Sequence, residues 1–214
     1  MITDKLMIIG AMKDVELNLI LENLTDTKIY EEATCTFYEG FLFEKDVVVC
    51  HCNVGIINAS IATFAGIKKY NPTSIFVIGT AGAHRDDIHR EELVVATNVI
   101  NLNSINFRTK TFASSDDLLK FIKDFQNTSD YKVHYGTIGS GDIWTKDAFK
   151  IKEFNAKYST LCEEMESAAV YEIAQKYEVP VAAIRVISNN EIVGEEYDRK
   201  TGEVAQKFIL DLLK

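Results

Sequence analysis

An α/β fold, a sheet with helices on both faces, is what this 214-residue sequence predicts. Strand-like runs alternate with helix-like segments from one end to the other. The run Ser74-Ile75-Phe76-Val77-Ile78-Gly79 is apolar at consecutive positions, as in a strand buried on both faces. No linker, repeat or low-complexity tract interrupts the chain, so residues 1–214 read as one domain.

The elements follow in order. Leu6 to Gly10 is a buried strand. Asp14 to Leu24 carries Val15, Leu17, Leu21 and Leu24 and reads as a helix ending before Thr25-Asp26-Thr27. Thr36 to Phe43 and Asp46 to Cys52, joined by Glu44-Lys45, form an antiparallel hairpin. Ile56 to Lys69 is a helix with Ile57, Ile61, Phe64 and Ile67 along one side, stopped by Asn71-Pro72. Strands are expected at 74–79, 93–101, 132–138, 160–163 and 179–188. Helices are expected at 115–127, 147–154, 165–177 and 203–213.

Composition excludes several classes. Hydrophobic residues make up 47% of the chain and charged residues 26%, which are globular values. No apolar run approaches the ~20 residues a membrane helix needs, and the short apolar stretch after Met1 does not make an export signal. The net charge of −9 disfavours nucleic acid and anionic membranes as partners, since the most basic stretch, Lys146 to Lys157, is interleaved with acids. Cys35, Cys50, Cys52 and Cys162 fit no disulfide framework, and Cys50-His51-Cys52 lacks the second pair a zinc site needs. No metal or cofactor is implied, and the expected compartment is the cytoplasm.

In such sheets ligands bind beyond the carboxyl ends of the strands. Those ends here are small or polar: Gly10-Ala11-Met12, Asn53-Val54-Gly55, Gly79-Thr80-Ala81-Gly82, Ser140-Gly141-Asp142, Glu164-Met165-Glu166 and Ser188-Asn189-Asn190. Gly79 to Gly82 read alone is equally a tight strand-to-helix turn, and it lacks the phosphate-loop and dinucleotide patterns. A carboxylate of Glu164 or Glu166 can accept from vicinal hydroxyls, as on a ribose, although acids at a helix start are also common. Of the three acids Glu163, Glu164 and Glu166, one is expected in the site and the others solvated or salt-bridged.

The ordered set of Gly10-Ala11-Met12, Gly79-Thr80-Ala81-Gly82, Ser140-Gly141-Asp142, Glu164-Met165-Glu166 and Arg185-Val186-Ile187-Ser188 resembles the 5′-methylthioadenosine/S-adenosylhomocysteine nucleosidases of the nucleoside phosphorylase superfamily. The resemblance implies a three-layer sandwich with a mixed central sheet, a homodimer, and metal-free hydrolysis of a purine nucleoside's N-glycosidic bond. It also implies a substrate site of Met12, Val54, Thr80, Ala81, Gly82, Trp144, Thr145, Glu164, Met165, Glu166, Arg185 and Ser188. In it Glu166 would hold the ribose hydroxyls over Met165, and Trp144 would stack on the base. Thr145 would offer backbone contacts, Ala81 and Gly82 would line the ribose and base, and Arg185 and Ser188 would support the base loop. The expected dimer also draws on apolar residues around Phe107 and Phe112.

Two positions depart from that pattern. The family's water-activating Glu falls one position earlier than Glu16, a shift of about 100° on a helix. A one-residue insertion in the preceding turn would restore it; otherwise Glu16 is an exposed helix acid. The family's proton-donating Asp is here Asn189, an amide that donates hydrogen bonds but no proton. That leaves two alternatives: a nucleoside-binding protein without activity, or a phosphorylase or nucleosidase for 6-oxopurine nucleosides. Phosphorolysis is disfavoured because Phe76-Val77-Ile78 carries no cation, and His84, Arg85 and Arg90 read as a solvated charged loop.

Overall fold

The computed structural model describes residues 5–104 and 110–214. Strand β1 (Leu6–Gly10) runs into one wide π-type turn (Lys13–Leu17) and a short helix α1 (Asn18–Glu22). Strands β2 (Thr25–Glu32), β3 (Cys35–Leu42) and β4 (Lys45–His51) form an antiparallel meander, followed by α2 (Ile56–Tyr70) and the long β5 (Ser74–Ala83). Then come β6 (Leu93–Asn101), β7 (Thr111–Ala113), α3 (Asp116–Gln126), β8 (Val133–Ser140), α4 (Ala148–Tyr158) and β9 (Thr160–Glu164). The chain closes with α5 (Ser167–Lys176), β10 (Val181–Asn189) and α6 (Gly202–Leu213).

The sheet is mixed. β1 lies parallel between β4 and β5, and β5 is parallel to β10. β10 is antiparallel to β6, β6 is parallel to β8, and β8 to β9. β9 then returns antiparallel to the end of β5 through Gly82 and Ala83. The sheet therefore closes on itself through β5, β10, β6, β8 and β9, and opens on the other side into the meander. Two apolar layers cover it. Met7 and Ile9 of β1 pack toward α2 and α5, whereas Leu6 and Ile8 pack toward α1, α3 and α6. This alternation along one strand is what a sheet with two covered faces requires.

Several expectations change. The helix expected over 14–24 ends at Glu22, and Thr25–Glu32 is a strand. Every residue of β2 is exposed, so it carries no burial pattern to read. β7, three residues long, was likewise not visible in the sequence. β5 continues past Gly79 to Ala83, so Thr80 to Ala83 is strand, held by β10 and β9, rather than a turn. The helix expected from Met165 starts at Ser167, because Glu164 accepts from the Glu166 and Ser167 N–H groups and Ser140 Oγ accepts from that of Ala168.

Candidate active site

The carboxyl ends of β1, β5, β9 and β10, with Val54 beyond β4 and the loop after β8, enclose a cavity of about 210 Å³. Met12, Glu16, Val54, Thr80, Ala81, Gly82, Trp144, Glu164, Met165, Glu166, Ser188 and Asn189 line it, all residues expected from the sequence. Glu163, Ala11, Ile143 and Tyr197 line it as well. Ile143 and Tyr197 sit in loops with no periodic pattern, so only the fold could find them.

Glu16 is buried in this cavity rather than exposed. The wide turn at Lys13–Leu17 absorbs the extra residue before α1. One carboxylate oxygen accepts from the N–H groups of Ala11 at 2.8 Å and Met12 at 3.0 Å. The other accepts from the Thr80 N–H at 2.9 Å and the Thr80 hydroxyl at 3.2 Å. Gly79 makes this approach possible. Its φ is +153°, and a Cβ there would lie 2.6 Å from Glu16 Oε1 and 2.4 Å from Arg185 Nη1.

Glu163, Glu164 and Glu166 are all buried and all line the cavity where one was expected; none is solvated, and Glu164 is salt-bridged as the expectation allowed. Each has its own partners. Glu164 pairs with Arg185 and accepts from Ser167 Oγ at 3.0 Å, so its carboxylate is tied to the base of α5. Glu166 accepts from the Gly55 N–H at 3.0 Å and lies 3.4 Å from Arg185. Burial, reinforced by Glu164 and Glu16, outweighs Arg185 and pushes the Glu166 carboxyl up to about 8. Glu163 accepts from the Thr145 N–H at 2.5 Å and its hydroxyl at 2.9 Å.

Two placements differ from the resemblance and a third from the reading of the charged loop. Arg185 does not line the cavity; its partners are Glu164, Ser167 Oγ and the Ile78 carbonyl. It is fully buried beneath the acids, where burial alone would lower its value, yet Glu164, Glu166 and Glu16 together hold it above the ordinary guanidinium range. The Thr145 N–H is taken by Glu163, so it is not free for a ligand. His84 does not belong to a solvated loop: it is buried, stacked on Phe154 with Nδ1 2.8 Å from Thr160 Oγ1 and Nε2 3.3 Å from Glu163. Arg85 pairs with Asp87, and Arg90 bonds the Glu196 carbonyl.

At the mouth, Trp144 is half exposed and packs edge-on against Tyr197. Ser188 Oγ lies 3.1 Å from the Ala81 carbonyl and 3.0 Å from Asn189 Oδ1, tying β10 to β5. Asn189 Nδ2 donates to Glu191 at 3.3 Å. The lining thus carries four carboxylates and, among the described residues, no Lys, Arg or His.

The model of the family described as the phosphorylase superfamily matches residues 5–214. A 5′-methylthioadenosine/S-adenosylhomocysteine nucleosidase of Halalkalibacterium halodurans is 30% identical over 205 residues, 90% of this chain and 87% of that one. The protein of the same name from Staphylococcus haemolyticus is 26% identical across 97% of this chain and 98% of its own. Among solved structures, the Neisseria meningitidis nucleosidase of that name in complex with methylthio-immucillin-A superposes with a TM-score of 0.89 at 23% identity, covering 99% of both chains. A futalosine hydrolase of Helicobacter pylori superposes with a TM-score of 0.88 at 21% identity, covering 99% of this chain and 97% of that one. These two structures share the fold, including its mixed sheet flanked by helices. With the motif set in place around one acidic cavity, and with relatives aligned over almost its whole length, the chain belongs to the phosphorylase superfamily, in the family of the 5′-methylthioadenosine/S-adenosylhomocysteine nucleosidases.

Proposed function

We propose that this protein hydrolyses the N-glycosidic bond of a purine nucleoside. The names of its relatives make 5′-methylthioadenosine and S-adenosylhomocysteine the first compounds to test. The observation that carries the reading is the charge of the cavity. Its lining holds Glu16, Glu163, Glu164 and Glu166 and, among the described residues, no cation. Carboxylate charge fixed beside a departing sugar, Glu16 foremost since Glu164 is paired with Arg185 and Glu166 is raised to about 8, stabilises the positive charge that builds at its C1′. The same groups repel phosphate, so the attacking nucleophile is water.

The residues take these roles. Glu166, anchored by Gly55, accepts from the ribose hydroxyls, with Met165 against the sugar. The base lies over Ala81 and Gly82 with Trp144 against it. Glu16 already accepts four hydrogen bonds, which fills a carboxylate's capacity. The Thr80 hydroxyl is the longest of them and can rotate away, so water binds in its place. Glu16 takes a proton from that water as its oxygen bonds to C1′. The C1′–N9 bond breaks, its electron pair passes into the purine, and a solvent proton neutralises the freed base. Asn189 hydrogen-bonds the base without passing it a proton.

The finer expectations join this reading. Ile57, Ile61 and Phe64 are exposed along one side of α2, an apolar stripe that supports a homodimer. The earlier support for a dimer is replaced: Phe107 lies outside the described residues, and Phe112 is buried in the core. All four cysteines are buried and unbridged, which supports a reducing compartment such as the cytoplasm. Among the described residues no helix is long and apolar enough to cross a membrane.

Chromatography of free base and sugar, with and without phosphate, tests the proposal. Base release at the same rate in both, giving free sugar rather than sugar phosphate, is expected. A phosphate requirement overturns hydrolysis, and binding without turnover leaves a nucleoside-binding protein.

A further inference from the structure

The helix that carries Glu16 does not run straight. Its first turn, Lys13–Leu17, is π-type, and Leu17 at φ −130° and ψ −17° breaks it from α1. In an unbroken α-helix the Leu19 N–H would donate to the Val15 carbonyl. Here a side chain from the far end of the chain joins both groups. Gln206 of α6 accepts from the Leu19 N–H at 2.7 Å through Oε1 and donates to the Val15 carbonyl at 2.9 Å through Nε2. A side chain inserted into the hydrogen-bond ladder in this way is a recognised cause of a helix break.

The amide has one orientation. An N–H can meet only an acceptor and a carbonyl only a donor, so Oε1 faces Leu19 and Nε2 faces Val15. Nε2 also reaches Asn18 Oδ1 at 3.1 Å and the Gly202 carbonyl at 3.3 Å. Gln206 is fully buried, where an amide without such partners would be costly. Gly202, one turn before it, lets α6 come this close. A Cβ there would lie 2.1 Å from the Val15 carbonyl oxygen and 2.8 Å from Val15 Cγ1.

We propose that Gln206 is the positioning residue for Glu16: its amide holds the turn open by one residue and so points the carboxylate into the cavity. The inference rests on the hydrolase reading above, in which Glu16 takes a proton from water. The Val15 carbonyl and the Glu16 N–H belong to one planar peptide unit. Gln206 fixes that unit at its oxygen, and the Met12 carbonyl fixes it at its nitrogen, 2.8 Å away. The direction of the Glu16 side chain is thereby set. Closing the turn to α geometry would rotate Glu16 by about 100°, away from the Ala11, Met12 and Thr80 donors that hold its carboxylate. Gln206 does not line the cavity, so it acts through Glu16 and not on the substrate.

The test starts from Gln206→Met, which keeps the length of the side chain and removes both polar groups. With 5′-methylthioadenosine as substrate, kcat should fall at least ~10-fold while KM stays within ~3-fold, since a misplacement of about 1 Å in the reacting geometry can cost ~10²-fold. Ile209→Val, a buried change on the same helix, is the control: it should lower Tm and leave kcat unchanged. Amide hydrogen exchange followed by NMR gives a second readout. The N–H groups of Ala11, Met12 and Thr80 should exchange at least ~10-fold faster in Gln206→Met, while those of Ile8 and Ile184 in the central strands keep their protection. If Gln206→Met does not fold, Gly202→Ala carries the test, because it forces α6 away from Val15 and leaves the amide in place; the same local loss is expected. Unchanged kcat, a rise in KM alone, or exchange that quickens evenly across the sheet overturns the inference. If the wild type does not cleave the nucleoside, the hydrolase reading fails separately and the exchange pattern still decides: local loss at Ala11, Met12 and Thr80 supports the role of Gln206, and no local loss overturns it.

Discussion

Arg185 is the single cation buried among the site's carboxylates in the described residues, and its removal is the most informative perturbation of the fold. It pairs with Glu164, sits 3.4 Å from Glu166, and bonds Ser167 Oγ at 3.1 Å. In Arg185→Met, those acids remain in a cavity where desolvation already dominates. Breaking a buried ion pair from one side costs ~3–5 kcal/mol. For a chain of this size ~1 kcal/mol shifts Tm by ~2–4 °C, so Tm should fall by roughly 6–20 °C at pH 8. The loss must depend on pH. Arg185 holds the Glu166 value down, so without it that carboxyl rises further above about 8 and becomes protonated more readily. Below about 8 the carboxyl is protonated in both proteins, so the loss should be nearly constant there and should widen as pH rises above about 8, where only the wild type ionises. Thermal melting from pH 5 to pH 9.5, monitored by circular dichroism, reads both effects. Adding Glu164→Gln to Arg185→Met should restore at least ~1 kcal/mol, the coupling expected of residues in direct contact. A Tm change under 2 °C at pH 8, or one that does not vary with pH, would refute the charge-compensation argument.

Glu16→Gln keeps the shape of the side chain and loses its basicity; turnover should drop ~10²–10⁴-fold while calorimetric affinity for a nucleoside stays within a few fold, and unchanged turnover would return Glu16 to a structural role. Glu166→Ala should abolish nucleoside binding without lowering Tm at pH 8, where it removes a carboxyl whose ionisation the fold opposes. Glu164→Ala should instead lower Tm, because Glu164 holds Arg185 and the start of α5; the reverse pattern would mean the two acids are misassigned. Glu166 also sets a pH dependence of the empty protein. Its folded value of about 8 lies above its ordinary 4.5, so its protonated form is favoured in the fold. That contribution is full below about 4.5 and is lost as pH rises to about 8, at ~1.4 kcal/mol per pH unit. Glu166→Gln should flatten the fall of Tm across this window, and parallel curves for the two proteins would count against the raised value.

The sequence alone determined the alternating elements, because apolar runs such as Leu6 to Gly10 and Val181 to Ser188 must be buried whatever surrounds them. It also marked the small and polar strand ends as candidates for the site, but not which of them meet, because the sheet is mixed and β9 reaches the end of β5 antiparallel to it. It was silent on β2, whose polar residues all face solvent, and on β7. The direction of Glu16 was open until the wide turn at Lys13–Leu17 was seen, because one inserted residue rotates every side chain after it. The tertiary structure alone separated the three neighbouring acids. Glu163, Glu164 and Glu166 are alike in one dimension, but β9 hands the first to Thr145, the second to Arg185 and the third to Gly55. A carboxylate's role follows from which donors reach it, and those donors come from strands and loops far away along the chain.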